Sequence, residues 1–177
     1  MAAMALAGSV GCARAQPRDT ALAAPPPAPA ATPTPGVRGC PEDGPPQAGL
    51  PLDALTVETG RGPARFRLQV AGDEATREKG LMFVRRMADS EGMIFDFHAP
   101  QPVAFWMHNT YIPLDMLFLG PDGRVLSIAH RARPCDETSL PSGGPVVAVV
   151  EINGGLAERL GIKPGDKVAD ERIFGPR

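Results

Sequence analysis

The alternation of apolar and polar positions along the chain predicts a domain built from short strands. Ala54–Thr59 and Ala64–Val70 each alternate in this way, and Gly60–Pro63 between them has the composition of a turn. These segments therefore predict an opening β-hairpin. Leu114–Leu119 and Arg124–Arg133 are separated by a Gly-Pro-Asp-Gly turn and predict a second hairpin.

Four further segments have the pattern of strands. Gly92–Phe97, Phe105–Met107 and Lys167–Phe174 are short and contain apolar or aromatic residues that favour strands. Val146–Ile152 is apolar at nearly every position, which is typical of a strand buried on both faces. Together with the two hairpins, these segments give seven or eight strands.

Two short helices are predicted between the strands. Asp73–Lys79 begins with an aspartate that can cap a helix, and Leu156–Leu160 follows Asn153, another capping residue, and ends before Gly161. Because the strands do not alternate with long helices, a doubly wound fold is not expected. The pattern predicts a mainly β, compact antiparallel β-sandwich or barrel-like domain with two short helices.

Composition indicates where this domain begins. Residues 16–52 are rich in proline and alanine, with 11 prolines between residues 16 and 51. Such a segment favours extended coil and offers little apolar surface to bury, so we expect a disordered linker there. Residues 53–177 are then expected to form a single domain, which is long enough for one hydrophobic core.

The first residues resemble an export signal without its basic start. Residues 1–15 are mostly small and apolar, and Ala13-Arg14-Ala15 fits the cleavage pattern of a signal peptide. One alternative is a lipoprotein signal, in which Cys12 would carry the lipid. Another is a low-complexity tail without a targeting role. Export predicts a periplasmic or lipid-anchored protein of the cell envelope.

The cysteines are compatible with an exported protein. If Cys12 is removed or lipidated, Cys40 and Cys135 remain as an even pair in an oxidising compartment. A disulfide between them would attach the end of the linker to a loop of the domain. The alternative is two separate free thiols.

The charge balance argues against some partners. The chain carries 18 Lys+Arg and 20 Asp+Glu, a net charge of -2, and has no basic run. Nucleic acid is therefore not an expected partner. No apolar stretch approaches the roughly 20 residues that span a bilayer, so no transmembrane segment is expected. The sequence does not determine the oligomeric state.

Candidate chemistry is concentrated in the segment Phe105–Asp115. It contains the single Trp and the single Tyr of the chain, interleaved with polar residues. Buried polar groups require hydrogen-bond partners or a function. The segment is therefore either a structural polar cluster or the floor of a ligand site. The candidate ligand-binding residues are Trp106, His108, Asn109, Thr110, Asp115 and Arg85.

Each candidate also has a structural explanation. Trp106 is of a type more often found in a hydrophobic core. Asn109 and Thr110 can shape turns through bonds to nearby backbone. Asp115 can accept backbone N–H groups or pair with Arg85 or its neighbour Arg86. Arg77, Arg85 and Arg86 could hold an anionic ligand, but ordinary surface ion pairs are the more common role.

No metal site, catalytic nucleophile or cofactor is expected. His98, His108 and His130 do not have the spacing of zinc ligands. Cys135 is followed by Asp136 and a glutamate, which would raise the pKa of its thiol and oppose a nucleophilic role.

One ordered set of motifs runs through about residues 55–172. It consists of Gly80-Leu-Met-Phe, Gly92-Met-Ile-Phe-Asp-Phe, Phe105-Trp-Met-His-Asn-Thr, Ile112-Pro-Leu-Asp, Pro141-Ser-Gly-Gly-Pro, Val150-Glu-Ile and Gly161-Ile-Lys-Pro-Gly-Asp. This order resembles the family called domain of unknown function 192. The resemblance implies a compact, mainly β domain of sandwich or barrel type, often exported, with no assigned activity. Where the family usually has a basic residue, most often lysine, this chain has His108.

Three functions are compatible with these features. The first is a non-enzymatic, exported binding or accessory module for a polar, sugar-like small molecule. The second is a hydrolase or lyase in which His108 acts as acid and Asp115 or Glu151 as base. The third is a structural envelope domain held by partners, which an extensive exposed apolar patch would favour.

Overall fold

The computed structural model describes Cys40 and residues 42–175. Within these residues the chain forms seven strands and three short helices. In chain order they are β1 (Leu52–Thr59), β2 (Gly62–Ala71), α1 (Glu74–Lys79), β3 (Glu91–Phe105), β4 (Leu114–Leu119), β5 (Val125–Ala132), β6 (Leu140–Asn153), α2 (Leu156–Leu160), β7 (Lys167–Ala169) and α3 (Glu171–Phe174). The prediction of a mainly β domain is confirmed. None of the helices described is long and apolar enough to cross a membrane.

The strands lie in one sheet in the order β5-β4-β6-β3-β2-β1-β7. The predicted hairpins are present, since β1 pairs with β2 and β4 pairs with β5, both antiparallel. The apolar run in β6 lies between β4 and β3, as its burial on both faces requires.

Of the predicted β-sandwich or barrel-like domain, the barrel-like form is confirmed, whereas the sandwich is not and the strands are not all antiparallel. Strands β2 and β3 are parallel, with Val70 opposite Ile94, so the sheet is mixed. The described strands also form a single sheet rather than two packed layers. The parallel pair arises because α1 and the loop after it carry the chain back to the starting end of β2, and a parallel pair needs such a crossover. The sequence indicated α1 but not this consequence of it.

The sheet curls into a half-barrel. Its two edge strands, β5 and β7, approach each other at one corner, where Arg124, just before β5, forms a β-bridge with Lys167 in β7. The Val125 N–H donates to the Asp166 carbonyl at 3.0 Å, and the Val168 N–H donates to the Gly123 carbonyl at 2.8 Å. The pairing of β4 with β5 also contains two register shifts, which bend this edge further.

Three local predictions differ from the structure. Lys167–Phe174 is not one strand, because the Asp170 side chain accepts from the Ile173 N–H and starts α3. This gives a third helix where two were predicted. Asn153 does not cap α2; its side chain donates instead to the Met87 carbonyl at 2.9 Å. Gly92–Phe97 and Phe105–Met107 were predicted as two strands, but the first segment and Phe105 belong to the single long strand β3, and Trp106 and Met107 lie beyond its end.

The two faces of the sheet have separate hydrophobic cores, because neighbouring residues of a strand point to opposite faces. On the first face, Ile94, Leu117 and Val150 pack with residues of α2 and α3. On the second face, the partners of Met93 and Met116 include the loops before β3 and before β4. The candidate site lies on this second face.

Residues 42–51 also lie against the domain. The Gln47 side chain donates to the Gly80 carbonyl at 2.7 Å and to the Thr76 carbonyl at 3.1 Å. The Tyr111 hydroxyl donates to the Glu42 carbonyl at 2.7 Å. This differs from the expectation of a disordered linker up to residue 52, because polar groups in this stretch find backbone partners on the domain. Residues 16–39 of the predicted linker lie outside the described residues.

Candidate functional site

A cavity of about 600 Å³ opens on the second face of the sheet, between α1 and the end of β3. Four aromatic side chains contribute to its wall: Phe95, Phe97, Phe105 and Trp106. The Phe105 ring is the centre of this group, because it packs edge-to-face on Phe95 at 4.9 Å and on Phe97 at 6.4 Å between ring centroids. Such edge-to-face pairs hold the rings in defined orientations. The wall is therefore a rigid aromatic surface.

Trp106 lies at the rim of the cavity and is 53% exposed. Trp106 therefore lies outside the hydrophobic core, although tryptophan is more often found inside it. The reason is strand geometry: Phe105 is the last residue of β3 and contacts the core, as does Met107, so Trp106 between them points outward. Its ring stacks on the His108 ring with centroids 5.0 Å apart and an angle of 25°. A large, planar, exposed ring at a cavity mouth is suited to ligand contact.

His108 and Thr110 line the same cavity as Trp106. The His108 Nδ1 atom lies 2.8 Å from a carboxylate oxygen of Glu137, and the Thr110 hydroxyl donates to the His108 carbonyl at 3.2 Å. These contacts fix the loop that carries Trp106. The imidazole is oriented by Glu137, which leaves its other nitrogen as the available polar group.

Glu151 contributes the only carboxyl group from the sheet to the lining of this cavity, as far as the described residues show. It lies in the apolar run of β6, opposite Met93 of β3 and Met116 of β4, and it is 4% exposed. Burial raises the pKa of the Glu151 carboxyl from its ordinary value of 4.5 to about 8. No hydrogen bond or charged neighbour in the described structure offsets that burial. At neutral pH the group is therefore mostly protonated and without a protein partner.

Stability is expected to fall as pH rises between about 5 and 7 because of Glu151. The unfolded carboxyl loses its proton near pH 4.5, whereas the folded one keeps it to about pH 8. Unfolding in this window therefore releases a proton, which lowers the free energy of unfolding by about 1.4 kcal/mol for each pH unit. Urea unfolding of Glu151→Gln across this range should lack this contribution, while Glu158→Gln, at an exposed position in a surface ion pair, should keep it. Equal slopes in wild type and Glu151→Gln would contradict the buried carboxyl.

Asp115 does not reach the cavity. It is fully buried on the first face of the sheet, where its carboxylate accepts three backbone N–H groups. The donors are Arg131 at 2.7 Å, Gly155 at 2.9 Å and Ala157 at 2.8 Å. Asp115 thus accepts the free N–H groups at the start of α2, the capping role that was expected for Asn153. These contacts give Asp115 a structural role, because its oxygens already accept three N–H groups and face away from the cavity.

Asn109 and Arg85 are also outside the cavity lining. Asn109 is buried with φ 51°, and its side chain exchanges hydrogen bonds with Glu42 at 3.3 Å. Arg85 pairs with Asp43 at 3.0 Å and lies over the Tyr111 ring at 4.8 Å. Both residues therefore hold residues 42 and 43 against the domain, which is a structural role.

Charged residues of α1 form one side of the cavity: Glu74, Arg77, Glu78 and Lys79. The two cations are engaged elsewhere. Arg77 donates to the Gly72 carbonyl at 2.9 Å and to the Asp96 carbonyl at 3.0 Å, and it lies over the Phe97 ring. The Lys79 ammonium lies 4.2 Å from the centre of the Phe83 ring. The cavity therefore does not present a free cationic clamp for an anion.

Cys40 and Cys135 form a disulfide, with Cα atoms 5.0 Å apart. The bond joins the segment before β1 to the loop after β5, beside the Thr110 carbonyl that accepts from the Cys135 N–H. Cys12, the candidate for lipidation, lies outside the described residues, as does the predicted signal peptide. In the part of the chain that is described, no cluster of three His, Cys, Asp or Glu side chains could hold a metal ion.

The structure thus brings together three of the predicted ligand-binding residues, Trp106, His108 and Thr110, with Glu151, which the sequence suggested only as a possible base. The signal for Glu151 was its position, since it is the one charged residue in the apolar run Val146–Ile152. A charge in a strand buried on both faces needs either a partner or a cavity.

Comparisons with known proteins agree with the fold. The family model DUF192, described as "Uncharacterized ACR", matches residues 55–169. A crystal structure of a protein of unknown function from Novosphingobium aromaticivorans DSM 12444 is 53% identical with a TM-score of 0.68, covering 70% of this chain and 89% of that one. A crystal structure of a "putative transcription regulator" from Sinorhizobium meliloti 1021 is 39% identical with a TM-score of 0.67, covering 70% of this chain and 97% of that one. No curated protein matches the chain.

Proposed function

The chain belongs to the DUF192 family, and because that family is described as uncharacterized, we propose from the cavity itself that the protein is a non-enzymatic small-molecule-binding module. The ligand occupies the cavity on the second face of the sheet, with Trp106 at the mouth and Glu151 at the floor. The ligand has an apolar or ring-shaped part for the aromatic wall and a polar group for the floor. Cavities of this size, mainly apolar with a few convergent polar groups, are typical of small-molecule sites.

The observation that carries this proposal is the exposed Trp106 ring at the cavity mouth. Leaving half of a tryptophan ring in water forgoes the favourable burial of its apolar surface. The ring is nevertheless held by its stack on His108, which Glu137 and Thr110 orient in turn. An exposed aromatic ring that is fixed in advance loses little side-chain entropy when a ligand covers it.

The module acts, in this proposal, outside the cytoplasm. Residues 1–15 have the pattern of a signal peptide, with Cys12 as an alternative lipid-attachment site. The disulfide between Cys40 and Cys135 supports the same compartment, because disulfides persist in oxidising environments such as the periplasm.

Ligand binding is expected to change the emission of Trp106 and raise the melting temperature. The chain has one tryptophan, so the fluorescence reports on the cavity mouth alone. A ligand at 100 times its Kd adds about 2.7 kcal/mol to the free energy of unfolding. The measurement is a panel of sugars, amino acids, short peptides and amines, read by fluorescence and thermal unfolding.

A matched pair of variants locates the response. Val103→Phe adds a ring to the cavity lining and should abolish it, whereas Leu126→Phe, on β5 and outside that lining, should leave it intact. A panel without any shift in emission or melting temperature would refute the binding function. A response that survives in Val103→Phe would place the ligand elsewhere.

A hydrolase or lyase is the second candidate function, with fewer candidate catalytic residues than the sequence suggested. Asp115 is excluded, but His108 and Glu151 line one cavity, and the raised pKa of Glu151 is suited to proton transfer near neutral pH. Turnover of ester, amide or glycoside substrates that is lost in Glu151→Gln would favour this function over simple binding.

Regulation of transcription, the activity named for the Sinorhizobium protein, is not part of this proposal. The chain has a net charge of -2 and no basic run, so its sequence does not favour contact with a phosphate backbone. A purely structural envelope role is also less favoured, because the described large apolar side chains that are exposed, Leu52, Trp106 and Leu126, lie on three separate parts of the fold.

A further inference from the structure

We propose that the ligand of the cavity is a small organic cation, held by the Glu151 carboxylate at the floor and by the aromatic rings of the wall. This inference rests on the proposed binding function and specifies the ligand class for the same site. It rests on three properties of the cavity: the unpartnered carboxyl, the protein cations that are engaged elsewhere, and the aromatic side chains of the lining.

The Glu151 carboxyl is the group that a cation would complete. It lines the cavity, yet only 4% of the residue is exposed to solvent. The residues opposite it on the neighbouring strands, Met93 and Met116, offer neither a positive charge nor a hydrogen-bond donor. A buried carboxylate is costly unless it is paired with an opposite charge. A cationic ligand would supply that charge where the protein does not.

The cations that line the cavity do not serve this role. From α1, Arg77 is bonded to two carbonyl oxygens and Lys79 lies over the Phe83 ring. From the loop after β3, His108 is paired with Glu137. The remaining charged residues of α1 in the lining, Glu74 and Glu78, are acidic and add negative potential.

The aromatic wall favours a cation over a neutral or anionic ligand. The face of an aromatic ring carries partial negative charge, so rings attract organic cations, most strongly when water is excluded. Phe97 already carries the Arg77 guanidinium at 5.4 Å from its centroid. Phe95, Phe105 and Trp106 complete the wall around the remaining space. An anion would gain no such attraction from the rings, and the Glu151 carboxylate would repel it wherever that group is ionised.

Binding of a cation should be coupled to loss of the Glu151 proton. Because burial holds the pKa of this carboxyl near 8, the free protein must release a proton before the carboxylate can pair with the ligand. The affinity for a permanently charged ligand should therefore rise about tenfold for each pH unit between pH 6 and 7 and level off above about pH 8. The other charged or titratable groups that face the cavity are Glu74, Arg77, Glu78 and Lys79 of α1 and His108 of the loop after β3.

The decisive experiment compares two molecules of the same shape. Choline carries a permanent positive charge, and 3,3-dimethylbutan-1-ol is its neutral counterpart, with carbon in place of nitrogen. Binding to the full chain is measured by Trp106 emission and by calorimetry from pH 6 to 9, in buffers of different ionisation enthalpy that report proton release. Choline should bind at least tenfold more tightly than the alcohol at pH 8, with release of close to one proton at pH 7.

Glu151→Gln keeps the size of the side chain and removes its charge. In this variant, choline should lose its advantage over the alcohol and its dependence on pH. The pH dependence of choline binding to the wild-type protein tests the role of the Glu151 charge without any substitution. Glu158→Gln, at an exposed position outside the cavity lining, should keep both the preference for choline and its dependence on pH.

Failure of the ligand class and failure of the binding function give different results. If the alcohol binds as tightly as choline at every pH, or if 3,3-dimethylbutanoate binds more tightly, the cavity binds ligands but the cation is wrong. If none of these three molecules nor the wider panel changes Trp106 emission or the calorimetric signal, both proposals are overturned.

Discussion

Replacing Asp115 with alanine is expected to lower the free energy of unfolding by about 4 kcal/mol. The substitution leaves three backbone N–H groups without acceptors, at Arg131, Gly155 and Ala157. Each buried donor without a partner costs on the order of 1–3 kcal/mol, and the costs do not add fully. Two of these donors lie at the start of α2, so the helix loses its cap at the same time.

Two companion substitutions make this prediction specific. Asp115→Asn retains one acceptor oxygen, which can serve Arg131 and Gly155 but not Ala157, and should lose about 2 kcal/mol. Asp43→Ala, at an exposed position, should change stability by less than about 1 kcal/mol. The measurement is urea unfolding at fixed pH. If Asp115→Ala unfolds within 1 kcal/mol of wild type, its carboxylate does not carry these contacts.

Removing the disulfide is expected to cost up to about 4.5 kcal/mol, because it closes a loop with a sequence separation of 95. The effect should be seen in the double variant Cys40→Ser, Cys135→Ser and in reduced wild-type protein alike. Release of Cys40 from Cys135 should also weaken the contacts of nearby Glu42 with Asn109 and Tyr111. Thermal unfolding with and without reductant is the direct measurement.

Thiol counting provides the control for the disulfide. Denatured wild-type protein should expose two more thiols after reduction than before it. Cys12→Ser should leave both the difference and the stability unchanged, because Cys12 is not a member of the pair. An equal number of thiols before and after reduction would show that Cys40 and Cys135 are free and that the loop is not closed.

Local patterns predicted much of the fold, and non-local consequences were missed. The alternation in Ala54–Thr59 and the turn after it predicted the first hairpin, because both strand register and turn chemistry are local properties. The parallel pairing of β2 with β3 was missed, because it depends on the path of the nineteen residues between them rather than on either strand. The same holds for β3, where residues near position 100 suggested an end but the strand continues through an irregularity in its register.

The candidate site was predicted in part for the same reason. Four residues of the segment Phe105–Asp115 line the cavity, but the local sequence does not assign the residues of this segment to faces of the sheet. Trp106 and His108 reach the cavity, whereas Asp115 lies on the opposite face and binds the start of α2, forty residues later in the chain. Which polar residue finds backbone donors and which remains unpartnered is decided by tertiary contacts. The charge of Glu151 in an apolar run was the local sign of a buried carboxyl beside a cavity.

The curl of the sheet also bears on self-association. An exposed strand edge can recruit the edge of another molecule and begin an aggregate. Here β7 has three residues and is bonded at its start to the turn before β5. Strand β5 is bent by the two register shifts in its pairing with β4 and has Arg131 at φ 48°. Neither edge offers a long, flat row of backbone groups, so the protein is protected against polymerisation through its sheet even when crowded.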